Sequence, residues 1–414
     1  MHLAWFSPLP PDRSGIADYS AELLAQLAGT FEIDRYPERA AHDFVWRAQR
    51  NPYDLVVYHV GNAACHDYMW AYMVRYPGLV VLHDARLHHA RARCLLDRKR
   101  IDAYREEFHY DHPVVDRAVT QFAIEGLGGP LYYLWPMVKV VMDTARMVAV
   151  HSPWVAADLR EAHPHARVET IRMGVSARAA SHGARSEIRR RLGLPDEAVV
   201  FAAFGKITAE KRVPAILAAT EALAAEGRPV FAMLVGDADG YPTLAREIAA
   251  RGLDGRVRLT GYVADAAIAD HLAAADVCLC LRWPTALETS ASWLRCLAAG
   301  RATVISDLAH LADIPAGVAA RVDPAEEPSA LLDVMRRLAD DAPWRESLAA
   351  NGHAFWRESH TLEVMASDYE RLLPGVASQP ARPPADLPAH FLADYSGPAM
   401  EVIRRVGVSA SVLG

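Results

Sequence analysis

Short apolar runs alternate with helical patterns along most of the chain, and this alternation limits the fold more than any other feature. Runs such as DLVVYHV and GLVVLHD in the first half, and VFAMLVGD and DVCLCLR in the second, are apolar on both faces. Strands of this kind belong to parallel sheets that are covered by helices on both sides. The sequence therefore predicts an α/β protein built on parallel sheets.

The alternation runs as two series, which predicts two domains. The first series covers residues 1–178 and the second covers residues 186–355, with the polar stretch SARAASHGARSE between them. A chain of 414 residues is longer than one hydrophobic core usually organises. We expect two doubly wound, Rossmann-like domains that face each other across a central cleft.

Two segments depart from the alternation. Residues 85–143 are mostly helical in pattern and carry a charged stretch, which predicts a helical insertion in the N-terminal domain. Residues 375–414 form a proline-rich tail, and a short helix is expected in it near Met400–Val406.

Charge and cysteine content exclude several functional classes. The net charge of −7 gives no basic footprint for nucleic acid, and the five cysteines show no metal-ligand spacing. The N-terminus lacks a cationic and apolar leader, and no apolar run is long enough to span a bilayer. We expect a cytoplasmic protein; the apolar segment 127–142 leaves peripheral contact with the inner membrane face open.

The N-terminal series offers two groups of candidate ligand-binding residues, because ligands of open parallel sheets bind at the carboxyl ends of strands. Ser14–Gly15 precede a helix and can bring backbone N–H groups to an anion; a plain connecting turn is the alternative. His59 and Asn62 follow the third strand, and His83 and Asp84 end the fourth. They predict a polar acceptor-side cleft in which His83 is a hydrogen-bonding or acid–base group, unless the histidines only cap strand ends.

The loops of the C-terminal series add charged candidates. Lys206 and Lys211 flank a turn between a strand and a helix, which suits a diphosphate, although solvated surface lysines are the alternative. Asp237 and Asp239 could hold a divalent metal, but acidic residues near a helix N-terminus are the preferred interpretation.

The stretch WPTALETSASWLRCLAAG, residues 283–300, supplies a lone carboxylate. Glu288 lies where a helix is expected to begin, with Thr289 and Ser290 in its first turn. A carboxylate at that position favours the helix dipole by itself. Alternatively, it accepts hydrogen bonds from a hydroxyl-rich ligand while the first-turn N–H groups face the phosphates of that ligand.

Together these motifs resemble those of retaining glycosyltransferases of family 4, which have the two-domain GT-B fold. The resemblance covers residues 1–373 by the order of its motifs, which are SPLPPDRSGIADYS, LHD, FGKITAEKR, RLTGYV and WPTALETSASWLRCLAAGRATVISD. It implies that His83 faces the donor sugar and the acceptor. It also implies that Tyr262 and Val263 lie near the nucleotide base, and that helices in 356–373 cross back to the N-terminal domain.

The chain departs from that family at one position. Family members carry a second glutamate eight residues after the first, and this glutamate usually binds the nucleotide ribose. Here the residue that aligns with it is Arg295, and a plain count of eight from Glu288 reaches Cys296. The resemblance therefore leaves open how the ribose is held.

The resemblance implies metal-independent, retaining transfer of a sugar from a UDP- or GDP-sugar to a glycan, lipid-linked or small-molecule acceptor. No cofactor is expected, and the oligomeric state stays open. The expected catalytic residues are His83 and Glu288, and the expected acceptor-side residues are His59, Asn62 and Asp84. The expected donor-binding residues are Gly15, Lys206, Lys211, Tyr262, Val263, Thr289 and Ser290. The alternatives are a non-catalytic nucleotide-sugar sensor or scaffold, and a phosphorylase or epimerase of the same architecture.

Overall fold

The structure, a computed structural model, describes residues 1–12, 14–381, 386–392, 401–402 and 405–407. Within this part of the chain the strands form two parallel six-stranded sheets, one in each half. The strands of the N-terminal sheet are β1 (His2–Phe6), β2 (Glu32–Arg35), β3 (Leu55–Val60), β4 (Leu79–Leu82), β5 (Met147–Val150) and β6 (Val168–Thr170). The strands of the C-terminal sheet are β7 (Val199–Phe204), β8 (Val230–Val235), β9 (Val257–Leu259), β10 (Val277–Cys280), β11 (Ala302–Ser306) and β12 (Ala320–Val322).

The strand order places a ligand-binding crevice in each sheet. The orders are β2-β1-β3-β4-β5-β6 and β12-β11-β10-β7-β8-β9. The chain changes direction across the sheet between β1 and β3 in the first, and between β7 and β10 in the second. Ligands of doubly wound folds bind at such switch points, outside the carboxyl ends of the strands. The predicted α/β class with two doubly wound domains is confirmed.

Helices cover both faces of each sheet. Those of the N-terminal half are α1 (Gly15–Leu27), α2 (Asp43–Arg50), α3 (Met69–Arg75), α4 (His88–Leu96), α5 (Ile101–Asp111), α6 (Val119–Ile124), α7 (Leu131–Leu134), α8 (Lys139–Thr144) and α9 (Pro153–Ala162). Those that follow are α10 (Ala184–Leu192), α11 (Val213–Ala225), α12 (Leu244–Ala250), α13 (Asp265–Ala274), α14 (Ala291–Ala298), α15 (Glu327–Asp340), α16 (Ala342–Ser359), α17 (Leu362–Ala377) and α18 (Ala389–Leu392). Every residue of β3 and of β8 is buried, as two-sided cover by helices requires. None of the described helices is long and apolar enough to cross a bilayer.

The connection between the two sheets is shorter than predicted. The stretch expected as a linker extends to Glu187, but α10 already begins at Ala184. A tertiary contact holds this helix, since the buried Arg189 forms an ion pair of 2.6 Å with Asp276 and donates to backbone carbonyls. The last four residues of the stretch, 184–187, therefore form the first turn of α10.

The last long helix packs on the N-terminal domain. The hydroxyl oxygens of Tyr369 on α17 and Tyr19 on α1 lie 2.8 Å apart in the interior. Arg172 donates two hydrogen bonds of 2.8 Å to the carboxylate of Asp368. The segment expected to cross back begins at residue 356, which lies inside α16, so the crossing itself falls between α16 and α17.

Part of the proline-rich tail also packs on the N-terminal domain. Phe391 on α18 is buried and its ring is stacked 6.2 Å from that of Trp70, while the Arg91 guanidinium lies 4.0 Å from the Trp70 ring centre. Of the helix expected near Met400–Val406, residues 400, 403 and 404 lie outside the described part of the chain, and residues 401, 402 and 405 are helical.

Candidate functional site

A cleft of about 1370 Å³ opens where the carboxyl ends of the two sheets face each other. We call it the interdomain cleft. The loop after β1 and the first turn of α1 line one side, and the loops after β7, β8 and β9 line the other together with α14. Ligand pockets usually hold about 300–1,000 Å³, so a nucleotide fits here. The predicted donor residues in its lining are Gly15, Lys206, Tyr262 and Val263.

A second, smaller pocket lies beside the cleft, and we call it the inner pocket. It measures about 50 Å³ and shares Phe204 and Ser292 with the interdomain cleft. The predicted residues in its lining are Lys211, Glu288 and Ser290. Three further polar residues that the sequence analysis did not single out also line it: Arg282, Thr285 and His310.

The two predicted lysines lie on opposite sides of one glycine. Lys206 is exposed at the interdomain cleft, whereas Lys211 is partly buried and lines the inner pocket. Gly205 has a φ of +90°, and a Cβ there would lie 2.8 Å from Nζ of Lys211. A Cβ on Gly236 would lie 2.2 Å from the carbonyl oxygen of Gly205. The two loops approach each other this closely because neither residue has a side chain.

The pKa of Lys211 lies close to neutral pH, so its amine is divided between the charged and the neutral form. Nζ of Lys211 donates a hydrogen bond to the carbonyl of Phe204. Burial, together with the neighbouring charge of Arg282, lowers the pKa of Lys211 to about 7. An anion that enters the inner pocket stabilises the protonated form, so this amine gains charge when a phosphate binds.

Glu288 closes its own loop and does not begin a helix. Its Oε2 accepts hydrogen bonds of 2.9 Å from Oγ1 of Thr285 and from the N–H of Ala286. Its Oε1 lies 2.8 Å from Nε of Arg282. Leu287, just before it, has a φ of +62°, a left-handed conformation that a leucine rarely adopts. The predicted helix start at Glu288 is therefore wrong, because side-chain hydrogen bonds hold a turn there.

The helix instead begins three residues later. Ser290 caps α14 and accepts a hydrogen bond of 3.2 Å from the N–H of Trp293. Ser290 thus lines the inner pocket from a helix N-terminus, as predicted, but Thr289 lines neither pocket.

Asn62 and Asp84, which were predicted to lie on the acceptor side, contact each other directly. The N–H of Asn62 donates to Oδ2 of Asp84 at 2.7 Å. Beside them the N–H of Ala85 donates to the carbonyl of Ala286 at 2.9 Å, which joins the two domains next to the Glu288 loop. Burial raises the pKa of Asp84 to about 7, and the charge of Glu288 adds to this rise.

The two predicted histidines lie beneath this surface. Nδ1 of His59 and Nε2 of His83 are 3.0 Å apart, and the His83 ring centre lies 5.0 Å from that of His151. All three side chains are buried, and burial lowers their pKa values, so the rings are neutral. Neither His59 nor His83 is part of the lining of the two pockets, and their contact with ligands stays a prediction.

The structure shows where the two candidates for the second glutamate position, Arg295 and Cys296, lie. Arg295 on α14 lines the interdomain cleft and lies 3.1 Å from a carboxylate oxygen of Asp265. Cys296, the alternative position, is fully buried in the core. A guanidinium therefore faces the cleft where the resemblance implies a carboxylate.

The aspartate pair after β8 forms a turn. The N–H of Asp239 donates to Oδ1 of Asp237 at 2.8 Å, and both residues line the interdomain cleft. Among the residues that the structure describes, no group of three or more histidine, cysteine or acidic side chains is arranged to hold a metal ion.

Comparisons with known proteins agree with this architecture. Residues 198–341 match the family model described as Glycosyl transferases group 1. A sucrose-phosphate synthase from Thermosynechococcus elongatus has a similar structure, with a TM-score of 0.67 and 16% identity over 91% of this chain and 99% of that one. The Anabaena protein HepE, solved with UDP and glucose, has a TM-score of 0.64 and 16% identity over 91% and 100% of the two chains. The fold is the GT-B fold of glycosyltransferases.

A curated relative matches a smaller part of the chain. It is the alpha-D-kanosaminyltransferase of Streptomyces kanamyceticus, which is 32% identical over 169 residues. The match covers 40% of this chain and spans 43% of the length of that relative. The family model matches residues within the C-terminal half, and both the model and this relative are named for glycosyl transfer.

Proposed function

We propose that the protein is a retaining glycosyltransferase that moves a sugar from a UDP- or GDP-sugar to a hydroxyl-bearing acceptor without a metal ion. The observation that carries this proposal is the position of the Lys211 amine. It lines the inner pocket and lies next to Gly205, which lines the interdomain cleft. The match of residues 198–341 to a glycosyltransferase family supports it.

The nucleotide occupies the interdomain cleft in this proposal. Its base lies near Tyr262 and Val263, which line one end of the cleft. The diphosphate lies beside Gly205 and Ser292, which border both the cleft and the Lys211 side chain. Preorganised positive charge at the leaving group is often the largest single contribution to catalysis, and Lys211 supplies it here.

The donor sugar occupies the inner pocket, which widens to receive it. Glu288 is positioned there by Arg282 and by its own loop, and its carboxylate accepts hydrogen bonds from sugar hydroxyls. Asp84 lies beside the Glu288 loop and holds the acceptor, with Asn62 fixing its orientation. His59 and His83 support this strand end from below.

The transfer step breaks the bond between the anomeric carbon and the phosphate oxygen. The acceptor oxygen forms the new bond on the face from which the diphosphate departs, so the configuration is retained. The proton of the acceptor hydroxyl passes to the departing diphosphate. The side chains of Lys211 and Arg282 balance the charge that builds on the leaving group. Closure of the domains removes water that would otherwise capture the sugar.

The acceptor is a glycan, a lipid-linked molecule or a small molecule. The name of the Streptomyces relative assigns it the transfer of an amino sugar, which makes nucleotide-linked amino sugars natural members of a donor panel. We place the protein in the cytoplasm, where nucleotide sugars are made available.

Donor-dependent release of nucleoside diphosphate tests the proposal. Purified protein is incubated with a panel of UDP- and GDP-sugars, and UDP or GDP release is measured with and without a mixture of hydroxyl acceptors. Release above background that falls at least tenfold in Lys211→Met supports the proposal. Glu197→Gln, a change of an exposed carboxylate in the C-terminal domain, is the control. Tight binding of a nucleotide sugar without any release favours the sensor alternative instead.

A further inference from the structure

A second group of charges adjoins the interdomain cleft, and three of its members, Asp18, Asp265 and Arg295, line the cleft. It joins the first helix of the N-terminal domain to the two C-terminal-domain helices α13 and α14. The residues that form it are Asp18, Glu22, Arg178, Asp265 and Arg295. Three carboxylates and two guanidinium groups leave a surplus of one negative charge.

Two of the three carboxylates are already paired. Arg178 forms ion pairs with Glu22, at 3.0 Å, and with Asp265. Arg295 lies 3.1 Å from Asp265 and 3.9 Å from Glu22. Oγ of Ser176 donates a further hydrogen bond of 2.7 Å to Glu22. These contacts use Oε1 of Glu22 and both carboxylate oxygens of Asp265.

Asp18 is the third carboxylate of this group, and none of the ion pairs just described involves it. It lines the interdomain cleft from the first turn of α1 and is partly buried. Across the described part of the chain its side chain makes no hydrogen bond and no ion pair. Burial raises its pKa, and the charges of Asp265 and Glu22 act in the same direction, against the nearby Arg295.

This arrangement suits hydrogen-bond donors and repels phosphate. An unpaired carboxylate accepts hydrogen bonds from hydroxyl or amino groups. Arg295, on the facing wall, is paired with Asp265 and Glu22, so carboxylates already balance its charge. The phosphates therefore bind at the lysine end of the cleft, and the uncharged, hydroxyl-bearing part of a nucleotide faces Asp18.

We propose that the Asp18 carboxylate accepts hydrogen bonds from the ribose hydroxyls of the donor nucleotide, and that Arg295 holds Asp265 and Glu22 in place beside it. Recognition of a ribose diol by one acidic side chain is a recurrent solution in doubly wound folds. This inference rests on the proposed function, since it assumes that a nucleotide occupies the interdomain cleft.

The position of Asp18 gives this contact a further consequence. Asp18 belongs to the N-terminal domain, whereas the lysines that take the phosphates belong to the C-terminal domain. A nucleotide held at both ends connects the two domains, so donor binding favours the closed cleft.

Removal of one ribose hydroxyl tests the assignment. Binding of UDP, 2′-deoxy-UDP, GDP and 2′-deoxy-GDP is measured by calorimetry for the wild type, Asp18→Asn and Asp102→Asn. Asp102 is the matched control, because it too is an acid in the first turn of an N-terminal-domain helix, but its side chain is fully exposed. A hydrogen bond to a charged group changes affinity by about tenfold or more.

We expect the wild type and Asp102→Asn to bind the ribonucleotide about tenfold more tightly than its 2′-deoxy form. Asp18→Asn should reduce this preference to less than about threefold while its affinity for the 2′-deoxy form stays unchanged. The ratio of the two affinities is measured within each variant. A loss of stability in α1 would weaken binding of both nucleotides and would leave this ratio unchanged. A tenfold preference that persists in Asp18→Asn overturns this inference alone, whereas a wild type that binds none of the four nucleotides overturns the proposed function as well.

Discussion

The guanidinium Nε of Arg282 lies 2.8 Å from Oε1 of Glu288, and the ion pair forms one wall of the inner pocket. Arg282 lies two residues after the end of β10, and Glu288 lies in the loop between β10 and α14. The pair therefore joins the end of a sheet strand to the loop that contacts the N-terminal domain through Ala286 and Ala85.

Glu288→Gln should slow turnover much more than it weakens nucleotide binding. Glutamine keeps an oxygen that can accept from the N–H of Ala286 but loses the charge that orients Arg282. We expect nucleotide release from the best donor to slow by about 100-fold, as when one preorganised polar group is removed from an active site. Affinity for the nucleoside diphosphate should change less than threefold, measured by calorimetry, because that ligand does not fill the inner pocket.

Glu197→Gln serves as the control for this change, since it neutralises an exposed carboxylate of the same domain. Its turnover should stay within twofold of the wild type. Equal turnover in Glu288→Gln and Glu197→Gln would show that the Glu288 carboxylate does not contribute to the reaction.

Nucleotide affinity should fall as the pH rises through 7. The pKa of Lys211 is about 7, so its positive charge is present below that pH and lost above it. An anion binds the protonated form better, and binding therefore takes up a proton near neutral pH. Calorimetry of UDP and GDP between pH 6 and pH 8.5, in two buffers of different ionisation enthalpy, measures both effects. In Lys211→Arg the side chain does not titrate in this range, so the part of the pH dependence of nucleotide affinity that Lys211 causes should disappear. A pH dependence equal to that of the wild type would contradict the role of Lys211.

Asp84→Asn should stabilise the folded protein at alkaline pH. The folded pKa of Asp84 is about 7 and its usual value is 3.8, so the folded state keeps a proton that the unfolded state releases. The associated stability is fully present below pH 3.8 and is lost as the pH rises toward 7. We expect the gain in unfolding free energy for Asp84→Asn to be about 2 kcal/mol larger at pH 8 than at pH 5. Urea unfolding of both proteins at the two pH values measures it, with Asp102→Asn as the exposed control.

The buried histidines should make the fold sensitive to acid. Burial lowers the pKa of His66 and of His151 to about 4, below the usual 6.5. Each contributes stability that is present above pH 6.5 and is lost as the pH falls toward 4, because the unfolded chain binds the proton first. Each should cost about 2 kcal/mol of unfolding free energy between pH 7.5 and pH 5.

His151→Phe tests this directly by urea unfolding at both pH values. It should reduce the loss of stability on acidification by about 2 kcal/mol, whereas a change of the exposed His42 to Gln should leave that loss as it is. An identical acid response in all three proteins would mean that the pKa of His151 is the same in the folded and the unfolded states.

The sheets and the position of the site could be predicted from the sequence. Strands such as β3 and β8 are buried at every residue and are mostly apolar, a pattern that few structures other than a covered parallel sheet produce. Residues at the ends of these strands meet because parallel strands share a carboxyl edge. Lys206 and Tyr262 accordingly line one cleft although 56 residues of sequence separate them.

The local geometry at Glu288 could not be predicted in this way. An acidic residue ahead of small and hydroxyl residues looks like a helix start, and only the contacts with Thr285 and Arg282 reveal the turn. The burial of His83 was equally hidden, because its ring packs against Tyr19 of α1, which in turn contacts Tyr369 of α17 from the far end of the chain. The one available signal for Arg282 was its place at the end of the apolar run DVCLCLR.

The most direct test of the whole account is a crystal structure of the protein with UDP or GDP bound. The account predicts the diphosphate beside Gly205 and Ser292, with Nζ of Lys211 within hydrogen-bonding distance of a phosphate oxygen. Phosphates bound elsewhere on the molecule, with Lys211 still bonded only to the carbonyl of Phe204, would contradict it.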